Sequence, residues 1–198
     1  MAAIKEVLRQ HFGELSDAEL AIILPFFKDE KLRKHDFFSK QGSICNRLSI
    51  IKTGIFRVYA PAEDREITQW IATADSFITD AMGFFFDQPN RWNIQAFTDV
   101  ELLSLHKEDY EKISEVFPRW PAIEKQFIIK CFAMMESRVF SHLSMNAEER
   151  YEAYFEHNKE LFNQVPLHYI ASVLGMSPET FSRIRKRQIE KSLIKVKG

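Results

Sequence analysis

The chain has 198 residues with a formal net charge of −1; 45% of its residues are hydrophobic and 28% charged. These values are typical of a soluble globular protein that can bury a sizeable core. No apolar run approaches the roughly 20 residues of a membrane-spanning helix, and the N-terminal segment lacks the apolar centre of a signal peptide. We therefore expect a cytoplasmic protein that does not contact a membrane.

Two cysteines, Cys45 and Cys131, form no CxxC pair and no cluster. This argues against a disulfide framework, a zinc finger or a cysteine-ligated iron–sulfur centre. The charge is also unevenly divided. Residues 165–198 hold seven basic and two acidic side chains, a net charge of +5, so residues 1–164 carry −6. A basic part that follows an acidic one indicates a polyanionic partner.

The first segment is predicted to be helical. Ser16–Glu19 reads SDAE and fits a capping box, in which the two side chains each bond the other residue's amide. Leu20 and Ile23 follow at helical spacing, and Pro25 interrupts the pattern.

Between about Lys31 and His106 the sequence predicts short strands. The runs rich in β-branched and aromatic residues are RLSIIKTGIFRVYA, EITQWIA, WNIQAF and VELLSLH. Gly54 and the segment AEDR at 62–65 supply tight turns, so we expect an antiparallel barrel or sandwich. Residues 76–92 break the alternation and predict a short helix and a loop.

After His106 the pattern is helical to near the end. A helix is predicted to end before Pro118, and a long one to span Trp120–Ser144. The long helix carries two apolar stripes. One consists of Ile128, Phe132, Met135, Val139 and Leu143. The other consists of Ile123, Phe127, Cys131 and Met134.

So broad an apolar surface indicates a helix that packs on two sides. One stripe would cover its own domain and the other the same helix of a partner subunit. We assign Ile123, Phe127, Cys131 and Met134 to the dimer helix. The alternative is a helix buried between two parts of one chain.

The C-terminal segment predicts two short helices joined by a turn. Pro166 can begin the first, which has an apolar side at Ile170 and Leu174. Gly175 ends it in the left-handed geometry that glycine tolerates. Ser177 then caps the second helix, and Pro178 takes its first position.

The second helix would turn Phe181 and Ile184 onto the first helix, which is the arrangement of a helix-turn-helix. Its outward residues would then be Glu179, Ser182, Arg183, Lys186 and Arg187. The alternative is a solvated cationic helix with no partner.

Base edges could be read by Glu179, which can accept from a cytosine amino group, and by Arg183, which can donate twice to guanine. Thr180 and Ser182 can bond phosphates, and Arg185, Lys186 and Arg187 supply positive charge. The predicted DNA-binding residues are Ser177, Pro178, Glu179, Thr180, Ser182, Arg183, Lys186 and Arg187.

The stretch IASVLGMSPETFSRIRKR closely resembles the helix-turn-helix of Crp/Fnr-type bacterial transcription regulators. RLSIIKTGIFRVYA and AFTDVELLSLHKEDYEKI are similar to that family's strand–Gly–strand signature and to the end of its barrel. The resemblance covers Ser16 to Gly198. It implies a homodimer that binds near-palindromic double-stranded DNA, with RNA polymerase as a further candidate partner.

The implied fold is α+β, with three parts. Residues 1–119 would form a cyclic-nucleotide-binding-like antiparallel β-barrel of jelly-roll type with flanking helices. Residues 120–144 would form the dimerisation helix, and residues 145–198 a helix-turn-helix domain. The family usually continues into a two-stranded wing. Here only one strand is predicted, about Leu193 to Lys197, so the wing would be truncated. Pro178 stands where relatives often have a base-reading Arg.

The sensor pocket departs from the pattern of cyclic-nucleotide-binding members, which hold the phosphate with Gly-Glu and Arg-Ser/Thr-Ala. Thr79-Asp80 stands at the first pair, and Arg91 is out of register and followed by bulky Trp92. We expect no useful binding of cyclic AMP and predict no cofactor or metal. Phe84, Phe85 and Phe86 could be core, or could line a pocket remodelled for an unidentified small-molecule effector.

The leading hypothesis is a dimeric, sequence-specific transcription regulator. The alternative is a ligand-binding or protein-interaction module whose DNA binding has become weak and non-specific. An enzyme is the weakest hypothesis, because the sequence offers no nucleophile–base pair and no phosphate-cradling glycine loop.

Overall fold

The computed structural model describes the backbone of residues 2–196 and the side chains of residues 4–191. Within this range the helices are α1 (Ala2–Phe12), α2 (Asp17–Ile23), α3 (Ala81–Phe86), α4 (Lys107–Val116), α5 (Trp120–Ser144), α6 (Ala147–His157), α7 (Leu161–Gln164), α8 (Leu167–Val173) and α9 (Pro178–Val196). The strands are β1 (Phe27–Leu32), β2 (Phe37–Ser39), β3 (Arg47–Thr53), β4 (Phe56–Ala62), β5 (Arg65–Ala72), β6 (Phe77–Ile78), β7 (Asn93–Ala96) and β8 (Val100–His106).

The strands form two four-stranded antiparallel sheets. One has the order β1-β8-β3-β6 and the other the order β2-β7-β4-β5. Apart from the β4–β5 hairpin, strands that are consecutive along the chain thus lie in different sheets, as in a jelly roll. The predicted α+β fold with an antiparallel barrel is confirmed, and α5 has the predicted bounds Trp120–Ser144. The division of the chain at residues 119 and 144 stays a prediction.

The predicted turns hold the barrel strands in register. Gly54 has φ +97°, and a Cβ there would collide with the carbonyl of Asp99, so the β3–β4 turn requires glycine. Glu63 takes φ +51° in the two-residue turn between β4 and β5, where Ala62 pairs with Arg65.

Side-chain caps fix where two of the helices begin. The capping box of Ser16 and Glu19 starts α2, as predicted. Asn146 and Glu149 form a second capping box at α6. Each box satisfies amides that would otherwise lack a partner at a helix start.

Three apolar clusters form the interior. A helical-cap core joins α1, α2, α4 and the first half of α5 to one sheet, around fully buried Trp120. A barrel core fills the space between the sheets, around Phe56 and Ile94. A C-terminal core packs α6 to α9 around Phe181 and also takes in Ile55 and Ile71 of the barrel.

The strand predicted at about Leu193 to Lys197 is wrong. Helix α9 continues unbroken through Val196, and Lys197 lies outside the described residues. The stretch from Gln188 to Val196 contains no glycine or proline that would end the helix. A lone strand would also leave its backbone groups without a sheet partner.

Candidate nucleic-acid interface and sensor site

The turn between α8 and α9 has the predicted geometry. Gly175 has φ +65°, and the Met176 amide donates to the Ala171 carbonyl at 2.9 Å, which closes α8. Ser177 Oγ accepts from the Thr180 amide at 3.2 Å and so caps α9. Pro178 is the first residue of α9, as predicted.

Helix α9 is anchored by two apolar residues. Phe181 and Ile184 are buried in the C-terminal core with Ile170 of α8. The Phe181 ring lies 5.3 Å from that of Tyr151 and 6.0 Å from that of Phe162, measured between centroids. The rotation of α9 about its axis is therefore fixed, and with it the set of side chains that reaches solvent.

The side chains on the outward side of α9 form the recognition face. Its members are Glu179, Ser182, Arg183, Lys186 and Arg187, all exposed. Within the described residues, Arg183 and Lys186 form neither a hydrogen bond nor an ion pair, so their charges are available to a partner. Hydrogen bonds from its own amide and from Ser177 hold the pKa of Glu179 below its usual range, so it is a carboxylate at neutral pH.

Other side chains of α9 turn away from this face. Arg185, considered as a phosphate anchor, is half-buried in a groove beside Tyr151 and Gln188. Lys191 is paired with Glu148 of α6 at 2.7 Å. The basic residues of α9 therefore offer fewer unpaired, exposed charges to a partner than their number suggests.

The helix-turn-helix rests on the barrel through polar and aromatic contacts. The Thr68 amide of β5 donates to Ser172 Oγ of α8 at 2.8 Å. Buried Arg57 lies between the rings of Tyr59 (4.0 Å) and Tyr169 (3.8 Å). The same guanidinium donates to Glu66 at 2.6 Å. These contacts seat α8 on the β4–β5 hairpin.

The predicted sensor residues meet around Asp80, whose side chain is engaged in folding contacts. Its Oδ1 accepts from the Gly83 amide at 3.3 Å and caps α3. Its Oδ2 accepts from the amides of Arg91 (3.1 Å) and Trp92 (3.3 Å). Thr79 instead donates to the Arg47 carbonyl at 2.9 Å. The Asp80 carboxylate therefore holds two loop segments together.

Sequence reasoning missed Asn90, the buried residue beside this carboxylate. Its Oδ1 accepts from the Cys45 amide at 3.1 Å. Its Nδ2 donates to Ser39 Oγ and to Ser43 Oγ, the latter at 3.1 Å. A Cβ on Gly83 would meet Asn90 and the Cys45 amide, so α3 packs directly against this network. The signal for Asn90 in the sequence was a polar side chain shortly before a predicted strand.

The phenylalanines of α3 do not share one environment. Phe84 is buried in the helical-cap core, with its ring 5.1 Å from that of Tyr110. Phe85 packs on both of these rings. Phe86 is 65% exposed. Two of the three are therefore core of the helical cap.

The apolar stripe of α5 that was assigned to the dimer helix on sequence lies mostly within its own domain. Ile123 and Phe127 are buried in the helical-cap core, and Cys131 is half-buried against it. Placing them on the partner-facing surface was wrong, because α1 packs over them. Met134 is exposed, as are Ile129 and Phe140, and it lines a cavity between α5 and the C-terminal helices. The other predicted stripe, here called the exposed stripe, is exposed along its whole length; it consists of Ile128, Phe132, Met135, Val139 and Leu143.

Between residues 2 and 196 no helix combines the length and apolar character needed to cross a membrane. In the same range no three His, Cys, Asp or Glu side chains are grouped so as to hold a metal ion.

The family model described as cyclic nucleotide-binding domain matches residues 29–116, from within β1 to the end of α4. This part of the chain has the fold of a cyclic nucleotide-binding domain. No curated protein matches the chain by sequence.

Solved structures extend the likeness beyond this cyclic nucleotide-binding domain. FixK2 from Bradyrhizobium japonicum has a TM-score of 0.67 and 15% identity, covering 84% of this chain and 86% of that one. The Thermus thermophilus catabolite activator protein has a TM-score of 0.55 and 21% identity, with coverages of 94% and 88%.

A protein from Eubacterium rectale assigned to the Crp/Fnr family of transcriptional regulators has a TM-score of 0.66 and 18% identity, with coverages of 89% and 85%. At these identities the likeness establishes the fold. The predicted resemblance to Crp/Fnr-type regulators is confirmed at that level, with the cyclic nucleotide-binding domain followed by α5 and the helix-turn-helix.

Proposed function

We propose that this chain is a dimeric, sequence-specific transcription regulator of the Crp/Fnr type. The recognition face of α9 carries the proposal. It combines a carboxylate, a hydroxyl and cations on one exposed side of a helix that Phe181 and Ile184 hold fixed. These are the groups that read base edges and bind phosphates. The name given to the Eubacterium rectale structure agrees with this function.

The proposed partner is near-palindromic double-stranded DNA. In a two-fold dimer, two copies of α9 would enter successive major grooves about 34 Å apart. Retarded migration of genomic promoter fragments that weakens steeply with salt would support this, because cations on the recognition face would displace counterions. Binding that is only micromolar and independent of sequence would favour the alternative of an interaction module.

Arg183→Ala is expected to relax sequence preference at one base pair of each half-site. A bidentate Arg–guanine contact contributes about 1–3 kcal/mol of discrimination, and Arg183 is free to make one. The measurement is competition between the selected site and its single-base variants. Lys186→Ala is the control, and it should weaken binding to all DNA sequences by a similar factor. Preference unchanged by Arg183→Ala would contradict base reading by this residue.

We also propose that the cyclic nucleotide-binding domain does not bind cyclic AMP. The Asp80 carboxylate accepts three backbone amides, and so has little capacity left for a ribose hydroxyl. Asn90 fills the adjacent space with a satisfied hydrogen-bond network. A cyclic phosphodiester would have to break these bonds before it could enter this space.

Calorimetric titration of cyclic AMP and of cyclic GMP should therefore show no saturable heat up to about 1 mM. The full chain should be used, with its fold verified by its melting transition. Micromolar binding of either nucleotide would overturn this part of the proposal and leave the DNA-binding part standing.

A further inference from the structure

A cavity of about 690 Å³ lies where β5, α5 and the C-terminal helices meet. We call it the hinge cavity. Trp70 and Ile71 of β5 form one wall, Met134 and Arg138 of α5 form another, and Leu174 closes it beneath the turn of the helix-turn-helix. Its walls are mainly apolar, and its volume falls within the range of small-molecule sites.

The ionisable side chains on its walls include no carboxylate. They are Arg138, His142, Arg150, Tyr154 and His157. Within the described residues, neither arginine forms an ion pair. Arg138 donates to the Gln69 carbonyl at 2.7 Å. Arg150 donates to the carbonyls of Leu174 (3.1 Å) and Met145 (2.7 Å). The cavity therefore carries positive charge that no carboxylate on its walls balances.

Arg138 is the best placed of these cations. Its guanidinium is half-buried and lies 4.7 Å from the Trp70 ring centroid. Burial lowers the pKa of Arg138 and raises that of Tyr154 to about 12, so both groups sit in a poorly hydrated space. The guanidinium remains charged at neutral pH, and a carboxylate could pair with it through two hydrogen bonds.

We propose that the hinge cavity binds an organic carboxylate with an apolar body. The carboxylate pairs with Arg138, and the body contacts Trp70 and Leu174. Binding itself does not depend on DNA recognition. Its regulatory consequence rests on the proposed function: a ligand that touches the barrel, α5 and the helix-turn-helix at once favours the arrangement in which all three enclose it.

The test uses 2-naphthoate as the probe, titrated calorimetrically into the full chain. Saturable binding is expected, and 2-naphthamide, of similar shape but neutral, should bind at least about tenfold more weakly. Arg138→Met should reduce affinity for the carboxylate by a similar factor. Lys130→Met is the matched control on the same helix, since Lys130 is exposed and also donates to a carbonyl, that of Gln10. The Lys130→Met variant should bind 2-naphthoate with the affinity of the unaltered chain.

A second variant separates loss of the site from loss of the fold. Ala153→Phe places a ring in the cavity from α6 without changing charge, and should also abolish binding while the melting transition is kept. The proposal is overturned by absence of saturable binding up to about 1 mM, by equal binding of the amide, or by binding that both variants leave unchanged. The last result would place the probe elsewhere, such as on the exposed stripe. Because no DNA enters the titration, these outcomes leave the proposed function to its own tests.

Discussion

Phe132→Glu combined with Val139→Glu is expected to leave the protein monomeric and to reduce its affinity for a palindromic site by about 100-fold or more. Both residues lie on the exposed stripe of α5, where Phe132 is 69% and Leu143 is 81% exposed. An apolar surface this continuous is costly in water and is typical of a subunit interface. In a two-fold dimer each new carboxylate would be buried near its own copy, so that like charges would repel across the interface.

Sedimentation velocity gives the oligomeric state, and titration of a fluorescent duplex gives the DNA affinity. Phe86→Glu is the matched control, because Phe86 is 65% exposed but lies on α3. It should leave both quantities unchanged. A double variant that stays dimeric would refute the assignment of the exposed stripe to the interface. A monomeric variant that keeps full affinity would refute the need for two copies of α9.

Phe181→Ala is expected to remove DNA binding while the dimer persists. Phe181 is 1% exposed and holds α9 against Tyr151 and Phe162. Truncating a buried phenylalanine destabilises its surroundings by about 3–5 kcal/mol, and the C-terminal core is small. The recognition face would then lose its fixed orientation, although its charged residues are unchanged.

Hydrogen exchange would show faster exchange in α8 and α9 with β3 and β8 still protected. Phe155→Ala is the control beside the same core, since its ring also packs on Phe162 but is 37% exposed. It should cost less stability and keep most DNA binding. Full DNA affinity in Phe181→Ala would show that α9 does not need this anchor.

Local signals made much of the fold predictable. The caps at Ser16, Asn146 and Ser177, and the turns at Gly54 and Gly175, each depend on one side chain or one backbone angle. Such features are encoded within a few residues, so they can be predicted from the local sequence alone. The recognition face was predictable for the same reason, once Phe181 and Ile184 had been placed inward.

Features that depend on distant partners were not predictable. The two stripes of α5 are equally apolar, and only the packing of α1 decides that Ile123 and Phe127 face inward. Strand β1 was only partly predicted, because its four central residues, KDEK, are all charged and hide the alternation of a strand. One of them, Lys31, pairs with Glu101 across the sheet. Asn90 gains its importance from contacts with residues more than 40 positions away.

The seat of α8 on β5 has a further consequence. Strand β5 is the last in its sheet, so its outer backbone edge has no neighbouring strand. Ser172 bonds the Thr68 amide on that edge, and α8 covers the strand. An uncovered edge can pair with the strands of other chains and lead to aggregation. The helix-turn-helix therefore also protects the barrel against edge-to-edge association. Any motion that moves α8 away from β5 would expose an unpaired sheet edge.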